Sequence, residues 1–347
     1  MDLTRLALAG PIIDDAVNEG PYPAAAVAVA TARETVWAHV APGRDNAALD
    51  SIFPVASLTK PMTATAVFQL VEQGKLLLNV PVARYLPEFA ANGKERVTAW
   101  HLLTHSSGLE EDQFYGELQA LGTTPPPGWL FEAACRSHLN FEPGSAHKYT
   151  TLTFSVLAEL VRRLSGLPHP EYMRRHIFEP LGMKDTGFSP RDRSRATPQY
   201  DLGTHEQMSS WETMADPGGG AWSTVADLVR FGQAYLRGGE FDGYRLISPA
   251  SIAVMTGHYT QGVFGYGTTD RFNYGAGWGK PSLPRNGDLL ASERAFGHGG
   301  ATGCLLWIDP EYGFVYVFLS NRWNLPDPND TRARVLNIVY GAAGSGS

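Results

Sequence analysis

Ser57 and Lys60 stand three positions apart in Phe53-Pro54-Val55-Ala56-Ser57-Leu58-Thr59-Lys60-Pro61-Met62-Thr63, where a long helical pattern begins. Residues at i and i+3 share a helix face, so the serine hydroxyl and the lysine amine can meet. A serine hydroxyl is a weak nucleophile until a base takes its proton. A lysine serves as that base when desolvation or a neighbouring positive charge lowers its pKa. A serine at a helix start also has free backbone N–H groups beside any developing negative charge. The bare Ser-x-x-Lys spacing is met equally well by a serine that only caps a solvated helix, so other residues must decide between the two.

Tyr149, between Pro143-Gly144 and a helical pattern, is such a residue. It is either a half-buried tyrosine packing at a helix start, or a phenol that relays protons beside a lysine. His298 lies in Phe296-Gly297-His298-Gly299-Gly300-Ala301-Thr302-Gly303, ahead of a strong strand pattern. That stretch reads as a glycine-rich bend before an edge strand, or as an edge whose free N–H groups stabilise an oxyanion. His101 and His105 have a zinc-like spacing, but without the glutamate of His-Glu-x-x-His they read as loop-fixing or capping residues. Gly275-Ala276-Gly277-Trp278-Gly279-Lys280 fails as a phosphate loop, since Tyr274 replaces the first glycine and Pro281 the Ser or Thr. No Gly-x-Ser-x-Gly occurs, which removes the nucleophile elbow.

The elements that must position these residues follow from periodicity. A first helix is expected over 3–19, then short strands at Ala24–Ala30 and Glu34–Val40. The nucleophile helix runs from Ser57 to about Gln73, with Met62, Ala66, Val67 and Leu70 on its apolar face and Gly74 as its stop. Helices and loops fill 76–188, including Thr98–Leu103, Leu152–Leu164 and 170–178, with a Pro/Gly-rich loop at 122–128. A polar, mobile stretch is expected over 190–215, then a helix over 223–236. Strands follow at Ala276–Trp278, Ala295–His298, Gly303–Ile308 and Gly313–Leu319, the last two joined by a turn at Asp309–Gly313, and a final helix over 329–341.

The whole chain sets the bounds. Its 347 residues suffice for a large core and two sub-domains. With 43% hydrophobic residues, 37 Gly and 24 Pro, it reads as a mixed, loop-rich fold rather than a bundle. A net charge of −7 without a basic run argues against nucleic acid. No window reaches membrane-spanning length, so no membrane partner is expected. Cys135 and Cys304 make no disulfide framework. The N-terminus lacks a basic start and a continuous apolar run, so the expectation is no leader and a cytoplasmic protein. Gly344–Ser347 reads as a flexible tail.

Taken in order, these phrases resemble the serine β-lactamase and penicillin-binding-protein-like superfamily, closest to the class C β-lactamases and the family VIII carboxylesterases. Ser57-Leu58-Thr59-Lys60 and the helix after it resemble the first motif. Trp100-His101-Leu102-Leu103-Thr104-His105-Ser106-Ser107-Gly108-Leu109, Leu181-Gly182-Met183-Lys184-Asp185-Thr186 and Tyr274-Gly275-Ala276-Gly277-Trp278 are further family-like phrases. The likeness spans roughly 20–340. It implies an α/β (α+β) two-domain fold: an antiparallel sheet flanked by helices over 1–78 and 221–343, with an inserted, mostly helical domain over 79–220.

The resemblance also implies roles. Ser57 is the acylated nucleophile, Lys60 takes or relays its proton, and Tyr149, at the Tyr-x-Asn position, protonates the leaving group. The N–H groups of Ser57 and Ala301 form the oxyanion hole. Thr151, His298, Gly299 and Gly300 contact substrate. No cofactor or metal is implied. Two departures matter: Thr151 replaces the asparagine that holds a substrate amide, and His298 replaces the lysine that pairs with the β-lactam carboxylate. Both favour a carboxylesterase on small or medium acyl esters. The alternatives are a β-lactamase, DD-peptidase or D-amino-acid peptidase, an acyltransferase, or a non-catalytic penicillin-binding-like sensing protein. The partner is then a small-molecule ester or amide. Phe114, Tyr115, Trp129, Tyr259, Phe264, Tyr266 and Phe272 are candidates to line an apolar acyl or alcohol site.

Overall fold

The computed structural model describes residues 1–121, 125–126, 128–201, 212–267, 273–281, 289–327 and 329–344. Phe272, the Tyr115 side chain, residues 202–211 of the polar stretch, most of the 122–128 loop and residues 345–347 lie outside the described residues.

The helix expected over 3–19 is two, α1 (Leu3–Leu6) and α2 (Ala9–Asn18). Asp2 caps α1 by accepting from Thr4 N at 2.9 Å. Pro11 does not break the pattern; it sits in the first turn of α2, where its missing N–H costs least. Then come β1 (Ala25–Thr31), β2 (Thr35–Ala41), β3 (Phe53–Pro54) and α3 (Thr59–Glu72). The middle of the chain supplies α4 (Ala99–Leu103), α5 (Asp112–Leu121), α6 (Trp129–Arg136), α7 (Thr153–Ser165) and α8 (His169–Met173), the last widening into a turn over Arg174–Phe178. The remainder is β4 (Trp222–Ser223), α9 (Val225–Leu236), β5 (Glu240–Phe241), β6 (Tyr244–Arg245), α10 (Pro249–Met255), β7 (Phe296–Gly299), β8 (Leu305–Asp309), β9 (Phe314–Leu319) and α11 (Thr331–Ala343).

Among the described residues a five-stranded antiparallel sheet runs β2–β1–β9–β8–β7, so the first and last parts of the chain share one sheet. β1 is buried on both faces, and its period of two sorts its residues. Ala26, Ala28 and Ala30 face the cluster that includes Leu228 and Phe231 of α9. Ala25, Val27 and Val29 face Leu6 and Ile13 of α1 and α2 and Val335 and Leu336 of α11. Helices thus cover both sheet faces. The turn at Asp309–Gly313 forms as the sequence indicates, closed by Gly313 N donating to Asp309 O at 2.8 Å. No helix among the described residues is long and apolar enough to cross a membrane.

Helix α3 is buried from Thr59 to Leu70 on all sides, as suits a helix enclosed by other elements rather than lying on a surface. It packs on α7 and α8. A different neighbour explains a correction: Ala276–Trp278 is a bend, not a strand. Gly277 has φ +88°, and a Cβ there would collide with the Cβ of Ala64 on α3. Close approach to α3 selects glycine and a left-handed backbone over extended pairing. Sheet pairing resumes only at Gly279, which bridges to Gly297 of β7.

Candidate active site

Ser57 lies just before α3, in a tight 3-10 turn over Ala56–Leu58, rather than at the cap of the helix itself. The turn is forced. Ala56 takes φ 46°, a left-handed conformation that alanine rarely adopts, and its neighbours hold it there. Thr59 Oγ1 donates to Ala56 O at 2.7 Å and accepts from Ala221 N at 3.0 Å. Val55 N donates to Ala221 O at 3.0 Å, extending the β3–β4 pair. Within Ser51–Leu70, Ser57 is the one residue that is not buried. The turn therefore lifts a single hydroxyl out of an otherwise enclosed stretch.

Lys60 is wholly buried beneath it. Its Nζ lies 3.0 Å from Ser57 Oγ, 3.3 Å from Thr151 Oγ1 and 2.7 Å from Gly218 O. Three acceptors match the three donors of an ammonium; with one proton fewer, the lone pair has Ser57 Oγ to face. Gly218 must be glycine for this contact, because a Cβ would sit 2.7 Å from Thr151 Cγ2.

Two buried carboxylates that sequence reasoning missed surround this cation. Glu111 Oε2 accepts from Thr151 N at 2.7 Å and Leu152 N at 3.0 Å, fastening the start of α7. Asp216 Oδ1 accepts from Gly218 N at 2.8 Å. Burial pushes both carboxyls above their ordinary range, while those backbone donors and Lys60 oppose the shift. Nothing near Glu111 in sequence marks it, and Asp216 reads locally as an ordinary Asp-Pro-Gly turn.

Tyr149 is half-buried, its ring centroid 4.8 Å from Lys60 Nζ. His105 holds it from both sides: Lys148 N donates to His105 O at 3.0 Å, and Thr150 N to His105 Nδ1 at 3.1 Å. The two rings pack at a tilt of 32° with centroids 4.4 Å apart. His105 is thus the loop-fixing residue its sequence suggests. His101 caps α4, its Nδ1 accepting from Thr98 N at 3.2 Å.

His298, on β7, has its ring 6.1 Å from that of Tyr149. Both its nitrogens are engaged, Nδ1 with Gly299 O at 2.7 Å and Nε2 with the Tyr274 hydroxyl at 2.9 Å. Burial, with Lys60 adding to it, pushes its pKa down to about 3. The turn after β7 docks on the strand before Ser57: Thr302 Oγ1 donates to Pro54 O at 2.8 Å, and a Cβ on Gly300 would meet Val55 O. Gly299 and Ala301 are exposed there, and Ala301 N makes no hydrogen bond among the described residues. The fold thus gathers Ser57, Lys60, Tyr149, Thr151 and His298, with the Gly299–Ala301 turn alongside. Of the candidate aromatics, Phe114 packs on Trp129, Tyr259 on Trp100 and Tyr266 on Phe141, while Phe264 is 74% exposed.

Burial neutralises other histidines too. His105 is held well below its ordinary range, and His147 and His169 fall to about 4. A folded pKa below the unfolded one means that the unfolded chain binds more protons, so stability is lost as pH falls from about 6.5 toward 4. Carboxyls with raised pKa, such as Glu111 and Asp216, act in the opposite sense. Replacing one histidine isolates its share. His169→Gln is expected to lose about 1 kcal/mol less than the parent between pH 7.5 and 5.5. Urea midpoints at the two pH values check this, and equal losses would contradict it.

The family model described as Beta-lactamase matches residues 11–340. A Salmonella enteritidis PT4 protein described as "Putative D-alanyl-D-alanine carboxypeptidase" is 26% identical over 321 residues, covering 82% of this chain and 72% of that one. EstCE1, described as a hydrolase with promiscuous acyltransferase activity, superposes with TM-score 0.82 at 20% identity over 97% of this chain and 99% of its own. A family VIII carboxylesterase superposes with TM-score 0.75 at 21% identity over 98% of this chain and 97% of its own. At these identities the two superpositions show a common fold.

Proposed function

Because this chain belongs to the Beta-lactamase family and is a serine hydrolase of that fold, we propose that it forms a covalent acyl-enzyme on Ser57 and acts as a carboxylesterase on uncharged acyl esters. Ser57 Oγ attacks the ester carbonyl while its proton passes to Lys60 Nζ, 3.0 Å away and acting in its uncharged form, which becomes the ammonium. Lys60 and Tyr149, with the ring centroid 4.8 Å from Nζ, act as one proton-relaying pair. The pair returns the proton to the departing alkoxide. Water, deprotonated by the same pair, then attacks the acyl carbon and releases Ser57. The N–H groups of Ser57 and Ala301 receive the oxyanion, the first from a helical turn that has no internal acceptor for it, the second from the exposed turn after β7.

The observation that carries the choice of ester is the engagement of both His298 nitrogens. A neutral, doubly bonded imidazole offers no cation to a β-lactam or peptide carboxylate. Thr151 Oγ1, in turn, already accepts from Lys60. An uncharged ester needs neither group. Acyl transfer to an acceptor other than water is a second reading, supported by the likeness to EstCE1 and by the chemistry of any acyl-enzyme.

Turnover of p-nitrophenyl acetate and butyrate beside nitrocefin tests the reading. We expect kcat/KM for the esters to exceed that for nitrocefin about a hundredfold, the worth of one missing charge-assisted hydrogen bond of roughly 3 kcal/mol. Faster nitrocefin turnover would reverse the assignment.

A further inference from the structure

Tyr274 is buried beside the site and touches it through His298 alone by hydrogen bond. The bonding pattern dictates protonation. Gly299 O can only accept, so His298 Nδ1 carries the proton. Nε2 is then a lone pair, and the Tyr274 hydroxyl must donate to it. One neutral tautomer satisfies every partner. An imidazolium would place N–H against the tyrosine O–H, and the phenol would have to turn its proton away from Nε2.

The surroundings press the same way. Lys60 is the charged group that acts on His298, and the rings of Tyr149 and Tyr274 face it at 6.1 and 5.8 Å. His105, itself kept neutral by burial, packs against Tyr274 at 4.7 Å. No carboxylate among the described residues contributes to the charge balance at this imidazole. The phenol is also fixed in place. Tyr274 N donates to Thr260 Oγ1 at 2.8 Å, and Tyr274 bridges to Gly279, which bridges to Gly297 beside His298. Hydroxyl and imidazole therefore hang from one continuous stretch of paired backbone.

We infer that Tyr274 is a positioning residue that fixes His298 as the neutral Nδ1–H tautomer and thereby excludes acyl donors bearing a negative charge beside the scissile bond. The substrate half of this inference rests on the acyl-enzyme reading above; the tautomer half stands on the hydrogen bonds alone. Tyr274 touches no reacting atom, and its effect passes through His298.

The test separates the two halves. Nitrogen-15 NMR of histidine-labelled protein, with His298 identified by its absence from the His298→Gln spectrum, reports tautomer and charge without requiring turnover. We expect a single Nδ1–H tautomer that does not titrate between pH 8 and 5. Tyr274→Phe keeps the ring packing on His105 and removes the donor to Nε2, while burial and Lys60 still oppose charge on the ring, so His298 in that variant is expected to protonate at a higher pH than in the parent. In the same variant, at a pH where the spectrum shows His298 charged and the parent's still neutral, the preference for p-nitrophenyl butyrate over the anionic mono-p-nitrophenyl succinate is expected to fall about tenfold. An Nε2–H tautomer or an imidazolium at pH 7 in the parent protein would overturn the inference even if the variant failed to fold. An unchanged Tyr274→Phe spectrum would overturn it as well. Expected spectra with an unchanged substrate ratio would remove the substrate half. Expected spectra with no ester turnover in either protein would instead sink the acyl-enzyme reading while leaving the tautomer lock intact.

Discussion

Ser57→Ala is expected to fold normally and to hydrolyse p-nitrophenyl butyrate at least about 10⁴-fold more slowly than the parent, with no burst of p-nitrophenol. The fold should tolerate the change. Ser57 is the unburied residue of its turn, and no helix-capping bond depends on its hydroxyl. What disappears is one 3.0 Å contact with Lys60 Nζ, for which about 1 kcal/mol of stability is a typical loss. Activity loses the acceptor of the acyl group itself, and remaining binding and oxyanion contacts cannot replace a nucleophile. Stopped-flow release of p-nitrophenol by the two proteins measures the difference. Equal rates would mean that another residue is acylated.

Lys60→Met carries the second large effect, and it reaches both stability and rate. The ammonium is wholly enclosed and is held by Ser57 Oγ, Thr151 Oγ1 and Gly218 O. Glu111 and Asp216 sit in its field, each already pushed upward by burial. Methionine fills the space but leaves the Gly218 carbonyl without its donor and both carboxylates without their counter-charge. Removing one partner of a buried charge cluster costs about 3 kcal/mol or more. The variant is therefore expected to unfold at clearly lower urea. Folded fractions should show kcat lowered about 10³-fold, within the range of a lost general base. A variant with parental stability and kcat within tenfold would remove Lys60 from both roles.

Much of this was readable from residue order. α3, α7 and the β8–β9 hairpin follow from apolar spacing and turn chemistry, which are local properties. Ser57, Lys60 and Tyr149 stood out because reactive residue types occupied family-like phrases. The rest depends on contacts between distant segments. Ala56 takes its left-handed turn because Thr59 and Ala221 hold it, and Ala221 comes from far along the chain. Ala276–Trp278 carries strand-like residues, yet approach to Ala64 bends it. Glu111 and Asp216 become neighbours of Lys60 only through folding. His298 shows the limit most clearly. Its sequence says a histidine replaces a lysine, but burial and Lys60 keep the ring neutral, and its Nε2 bonds Tyr274, twenty-four positions away.

The central claim is that acyl chemistry starts at Ser57. Intact mass spectrometry after treatment with a fluorophosphonate, followed by peptide mapping, tests it most directly. The expected result is a single adduct per chain, carried by the peptide containing Ser57 and absent from the Ser57→Ala protein. An adduct on any other residue, or one that persists in Ser57→Ala, would contradict it.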